Sequence, residues 1–197
     1  MLFNIGKTQI RITFFFAAGL ALFSLQADIN TFFSVLTAVV LHELTHCIFV
    51  YRFAGAPQRI TVGLFGMCMT DEEVRLIGYK KEALCALTAP LVNIVCFVFL
   101  FCLSFLFPAL QTAAAVHFSL GICNLLPLRC LDGGRGLQCL LYLRYPQAKA
   151  ERMMDVTEWI FFFVMWLVLC VYMYVVKPTL SAVVFLFYLT FLFLFRK

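Results

Sequence analysis

Long apolar runs separated by short polar clusters dominate the chain, and their lengths, more than any amphipathic period, predict its elements. Six stretches stand out, at residues 12–25, 32–53, 83–106, 112–126, 159–175 and 180–195. Each approaches the roughly 20 residues that a helix needs to cross a hydrocarbon core, the first and fourth being the shortest. The first run follows Lys7 and Arg11 as a signal peptide would, but Leu25 stands where a cleavage site before Ala27 needs a small residue, so a retained helix is expected. The pattern predicts an all-α polytopic membrane protein of about six transmembrane helices, with a short membrane-associated β-hairpin or loop after the second.

Composition agrees: 64% of residues are hydrophobic and 13% charged, far from the balance of soluble domains. With six spans and a cytoplasmic N-terminus, fourteen of the fifteen Lys and Arg residues fall on the inner side, only Lys177 outside. The net charge of +5 is thereby assigned to orientation in the lipid bilayer, with no nucleic-acid partner, and both termini are expected in the cytoplasm. No connecting segment is long enough for an inserted soluble domain, so residues 1–197 are expected to form one membrane-embedded domain, with core motifs at about 30–136 and C-terminal helices over 137–197. The nine cysteines show no CxxC spacing and read as small buried hydrophobes; Cys47 and Cys130 flank the chemistry described next and are minor alternatives as ligands.

An ionisable side chain at mid-membrane costs about 2.5–3.5 kcal/mol, which makes any such residue a functional candidate. Of the ten acids only Glu43 and Asp132 lie within or beside apolar sequence. Glu43 belongs to the pentad His42-Glu43-Leu44-Thr45-His46. Histidines at i and i+4 share a helix face and can hold one Zn²⁺, with the intervening glutamate placed as a base. A zinc hydrolase needs a third protein ligand, for which Asp132 is the natural choice. Pro127 should break the fourth helix, leaving irregular backbone through Leu131-Asp132-Gly133-Gly134, which membrane depth tolerates only around a cavity or protein. Asp132 as a mere helix cap, and Glu151 with Asp155 as rival ligands, are the alternatives; the latter pair is more simply a solvated i,i+4 surface pair. His117 is read as hydrogen-bonded in the bundle, without a role.

Two cytoplasmic segments remain. Residues 59–69 are β-rich with two glycines and suit a hairpin dipping toward the bilayer, although an interfacial loop explains the composition equally well. A short amphipathic helix is expected from Asp71-Glu72-Glu73 to Lys81, and an interfacial helix pair over 136–158.

Taken in order, His42-Glu43-x-x-His46, Ala89-Pro90-x-x-Asn93 and Asn124-x-x-Pro127-x-x-x-Leu131-Asp132-Gly133-Gly134 resemble the site-2 protease family of intramembrane zinc metalloproteases. The resemblance covers roughly residues 30–136 and is nearest to the stage IV sporulation protein FB group, which has six spans and no PDZ insert. Ala89 stands where the family usually has Gly, and the nucleotide-sensing domain that the sporulation enzymes carry after the last span has no counterpart in these 197 residues. The resemblance implies that His42, His46 and Asp132 bind zinc, that Glu43 is general base and then acid, and that Asn124 contacts the substrate near the scissile bond. It further implies that an extended substrate pairs with the strand near 61–67, which contains Gly63 and Gly66. The activity implied is peptide-bond hydrolysis in membrane-associated or single-span proteins near the cytoplasmic side, releasing a regulatory factor as in sporulation pro-sigma processing. A separate regulatory membrane protein is the expected partner, and a bacterial cytoplasmic membrane the location. A metal-binding membrane module or transporter without proteolysis is the alternative, but it leaves Glu43 without work.

Overall fold

A computed structural model describes residues 2–5, 8–55, 59–63, 66–69 and 77–176, with positions 183, 187 and 190. Helix α1, Phe14–Gln26, starts at Thr13, whose hydroxyl accepts a hydrogen bond from the Phe16 N–H at 3.4 Å. Helix α2, Ile29–Ala54, is capped by Asp28, which accepts from the Thr31 N–H at 3.0 Å. It ends at Gly55, whose φ of 88° stops the helix in a conformation costly for other residues. After it come α3 (Tyr79–Ser104), α4 (Leu110–Leu125), α5 (Asp132–Arg144) and α6 (Gln147–Val176).

Four short strands form one sheet in the order β1 (Leu2–Ile5), β2 (Thr8–Ile12), β3 (Arg59–Gly63) and β4 (Gly66–Met69). The hairpin expected within 59–69 is present, its two strands pairing from Ile60 opposite Met69 to Gly63 opposite Gly66. The N-terminal hairpin is not anticipated by the run-length reading, which takes Lys7 and Arg11 as the charged flank of a helix. Its signal is local: Gln9-Ile10-Arg11-Ile12 alternates polar and apolar residues, and β2 lies parallel to β3 with Ile10 opposite Ile60.

Among the described residues three helices are long and apolar enough to cross a membrane: α2, α3 and α6, with mean hydropathies of 1.7, 2.4 and 2.0. The 13 residues of α1 and 16 of α4 reach about 20 and 24 Å at 1.5 Å per residue, short of a core of about 30 Å. The sixth expected span, 180–195, lies outside the described residues but for single positions, as do Asp71, Glu72 and Glu73. Lys80 and Lys81 belong to the first turn of α3, so the third span begins at Tyr79 and no separate helix ends at Lys81. Of the interfacial pair expected over 136–158, the first helix is α5, whereas the second is continuous with the fifth span in α6. The run of charges at Lys149, Glu151, Arg152 and Asp155 suggested a break that the helix does not need, because these side chains lie along its initial turns.

The bundle is held by stripes of small residues. Buried positions are Ala83, Ala86, Pro90 and Asn93 on α3, Ala114, His117 and Gly121 on α4, and Ser34, Ala38, His42 and Thr45 on α2, all at helical spacing. Small side chains let backbones approach, the route to helix association where apolar burial gives little driving force. A Cβ on Gly121 would lie 2.8 Å from Ile94 Cδ1 and 3.1 Å from the Pro90 carbonyl oxygen. Large apolar side chains such as Val95, Phe99 and Leu167 point outward, as a lipid-facing surface requires.

Candidate metal centre

The pentad lies on the small-residue stripe of α2 with His42 4% exposed, so its histidines point into the bundle. Their rings meet edge to face at a centroid distance of 4.9 Å. His46 Nδ1 lies 3.0 Å from the carbonyl oxygen of Cys85 on α3. Pro90 has no N–H to give the carbonyl of Ala86, the residue that follows Cys85. His42 Nδ1 is held by Asn93, whose amide nitrogen lies 3.0 Å away.

Asp132 arrives from the opposite direction, as the first residue of α5. Between α4 and α5 the backbone turns tightly through bonds from Leu128 N–H to the Leu126 carbonyl and from Leu131 N–H to the Leu128 carbonyl, both 2.8 Å. Gly133 and Gly134 permit this: a Cβ on either would overlap the backbone carbonyl of Leu125 or of Leu128. The turn is tied to α6 through Arg129, whose guanidinium binds Asp155 at 2.7 Å, Glu151 at 2.8 Å and Glu158 at 3.0 Å. Its backbone N–H donates to Glu158 Oε1 at 2.7 Å. Burial opposes the charge of Arg129, but the surrounding carboxylates outweigh it and hold the guanidinium pKa above its ordinary value.

One carboxylate oxygen, Asp132 Oδ2, lies 3.0 Å from His42 Nε2 and 3.1 Å from His46 Nε2. Because Nδ1 of His46 faces a carbonyl oxygen, its proton belongs there, so Nε2 and the carboxylate oxygen oppose each other as two lone pairs. At 3.1 Å that arrangement needs a cation, either a proton or a metal ion, between them. The donor set of two imidazole nitrogens and a carboxylate oxygen suits Zn²⁺, and the three donor atoms lie within 4.8 Å of one another. Tetrahedral zinc with bonds of about 2.0–2.1 Å places its donors roughly 3.3–3.4 Å apart, a few tenths of an ångström beyond the two histidine–carboxylate distances here. Among the described residues this is the sole cluster of three such groups.

The other expected site residues are distributed unevenly. Glu43 and Gly63 line one cavity of about 520 Å³, otherwise apolar, that runs between α1 and α2 from Phe23 and Phe32 to Cys47. Strand β3 is paired on both sides, by β2 and β4, which leaves β4 as the outer strand of the hairpin expected to meet a substrate near 61–67. Gly66 lies on β4, which pairs with β3 alone among the described strands. The Asn124 amide donates to the Leu120 carbonyl of its own helix at 3.0 Å. Neither Cys47 nor Cys130 joins the ligand cluster. Glu151 and Asp155 are part-exposed, but they are more than a surface pair: both engage Arg129, and Glu151 also accepts from Tyr142 and from Gln138. His117 is bonded within the bundle, as expected, but its partner is Asn93, one step from His42. The filter that singled out acids in apolar sequence applies equally to a histidine and an asparagine, and extended to them it would have marked both.

No known protein-family profile matches the chain. Over 129 residues it is 28% identical to a zinc metalloprotease of Methanocaldococcus jannaschii, an alignment that covers 61% of this chain. The chain spans 37% of that curated relative's length. A solved structure, the site-2 protease from Methanocaldococcus jannaschii, superposes with a TM-score of 0.57 at 23% identity, covering 95% of this chain and 92% of the other. The protein therefore has a site-2 protease fold, a zinc metalloprotease among its relatives, and a candidate metal site where two helices and a helix start converge.

Proposed function

We propose that the protein is an intramembrane zinc metalloprotease. The observation that carries this is the convergence of His42 Nε2, His46 Nε2 and Asp132 Oδ2, with the His46 proton held away on Nδ1 by the Cys85 carbonyl. Zinc bound to these three residues supplies Lewis acidity, polarising a peptide carbonyl and making a water easier to deprotonate. Glu43, adjacent in sequence to His42 and facing the α1–α2 cavity, takes a proton from the attacking water and returns it to the leaving amine. The apolar walls of that cavity suit a hydrophobic segment of a membrane protein, and Gly63 on the same wall leaves room for its backbone. A helical substrate hides its carbonyls in its own hydrogen bonds, so the segment must unwind to react.

The finer reading follows from the sequence resemblance. Substrates are single-span or membrane-associated proteins cut near the cytoplasmic face, as in the release of a sporulation sigma factor, with a separate membrane protein restraining the enzyme. The chain lies in a bacterial cytoplasmic membrane with both termini inside, an orientation supported by the distribution of Lys and Arg.

Glu43→Gln tests the mechanism. Purified and reconstituted with a single-span substrate, the variant should keep stoichiometric zinc and lose cleavage by at least a hundredfold. Zinc-dependent cleavage near the wild-type rate would remove Glu43 from the chemistry, and metal flux across vesicles that survives Glu43→Gln would identify a transporter instead.

A further inference from the structure

The histidine on α4 that no reading of the reaction uses is bonded into the metal centre through one intermediary. His117 Nδ1 lies 3.1 Å from Asn93 Oδ1, and Asn93 Nδ2 lies 3.0 Å from His42 Nδ1. All three side chains are buried, Asn93 being 0% exposed, His42 4% and His117 5%. The relay follows from the small-residue stripes on α3 and α4, which bring the two helices close enough for an amide to bridge two rings.

An amide has one donating end and one accepting end, of nearly identical shape. With Nδ2 toward His42, the Nδ1 atom of His42 accepts, so its proton sits on Nε2 and points at Asp132. That arrangement satisfies the metal-free site and blocks ligation, because Nε2 then has no lone pair to offer. Ligation requires the proton of His42 on Nδ1, which needs an acceptor, and Asn93 Oδ1 is the acceptor within reach. Turning the amide presents its NH₂ to His117, whose Nδ1 must then accept and whose proton must sit on Nε2.

We propose that His117 is a positioning residue for the metal centre: by accepting from Asn93 it fixes the amide orientation that leaves His42 Nε2 unprotonated. The inference rests on the zinc-site reading above and concerns how that site is made ready. Partners that orient a metal-bound imidazole typically contribute about 10- to 100-fold to metal affinity, and His117 acts one bond further out. A contribution near the lower end of that range is expected.

With three histidines in the chain, ¹⁵N-histidine labelling gives three rings whose tautomers nitrogen chemical shifts and one-bond N–H couplings report directly. In the full chain with zinc bound, His117 should carry its proton on Nε2 and His42 on Nδ1. A zinc-loaded protein with the His117 proton on Nδ1 overturns the proposal; a wild-type protein that binds no zinc overturns the metal-site reading instead. Zinc competition with a chelator supplies the second measurement. His117→Phe should raise the zinc Kd about tenfold, and His117→Gln, which retains an acceptor, should stay within about threefold of wild type. In an Asn93→Ala background His117→Phe should add nothing. An unchanged Kd for a folded His117→Phe, or an equal loss in the Asn93→Ala background, sinks the proposal. Should His117→Phe not fold, the tautomers of the wild-type rings decide.

Discussion

Replacing Arg129 with Met should unfasten the turn that delivers Asp132, and the size of the effect can be worked from the three carboxylates it faces. Asp155 and Glu151 are 50% and 38% exposed, so their ion pairs contribute about 0–1 kcal/mol each. Glu158 is different: its side chain is 3% exposed, and it binds both the guanidinium and the backbone N–H of Arg129. Depriving a nearly buried carboxylate of its cation costs about 3–5 kcal/mol, most of it the penalty of the charge left behind. Arg129→Met should therefore destabilise the protein by about 3–5 kcal/mol in equilibrium unfolding in mixed detergent micelles. Adding Glu158→Gln should recover more than half of that loss, since the amide oxygen can still accept from the residue-129 N–H while the charge is gone. In parallel, zinc affinity should fall about tenfold or more in the single variant, because Asp132 lies three residues from the released clamp. A loss below about 1 kcal/mol, or a double variant no more stable than Arg129→Met, would refute the reasoning.

Gly133→Ala should cost about 3 kcal/mol and strip zinc, because its Cβ meets the Leu125 backbone; Gly136→Ala should cost less, since it meets only the Leu87 side chain, which can turn away. Equal melting temperatures for the two variants would contradict this. Asp132→Ala should abolish stoichiometric zinc by metal analysis whereas Glu151→Ala should keep it; the opposite result would move the third ligand to α6. The carboxyl of Asp28 is held below its ordinary 3.8 by hydrogen bonds from Thr31. Such a group adds stability that is fully present above the unfolded pKa and is lost as pH falls through the lower, folded-state pKa. Wild type should thus be more stable than Asp28→Asn at pH 7, the gap narrowing as pH falls below 3.8, and thermal melts from pH 7 into the acid range would expose a gap that does not narrow.

Run length alone located every apolar helix within the described residues, because a bilayer demands length and hydrophobicity before it demands anything else. The cost of burying polar groups pointed to the candidate ligands. An acid or histidine pair in apolar sequence is costly enough to be conspicuous, and Pro127 with Gly133 and Gly134 announced broken backbone beside Asp132. What that reading could not supply was partnership. The β1–β2 hairpin forms because β3 offers it an edge, and residues 8–12 show too short an alternation to outweigh the charged flank they resemble. Glu151 and Asp155 look like a solvated i,i+4 pair until Arg129, more than twenty residues earlier, turns out to face them both. His117 looks like any bundle histidine until Asn93 links it to His42. Composition and spacing settle which residues are expensive to bury, a property each side chain has on its own. Which groups offset that expense for one another depends on helix packing and turn geometry, which bring residues distant in sequence within about 3 Å, the distance at which hydrogen bonds and ligand sets exist.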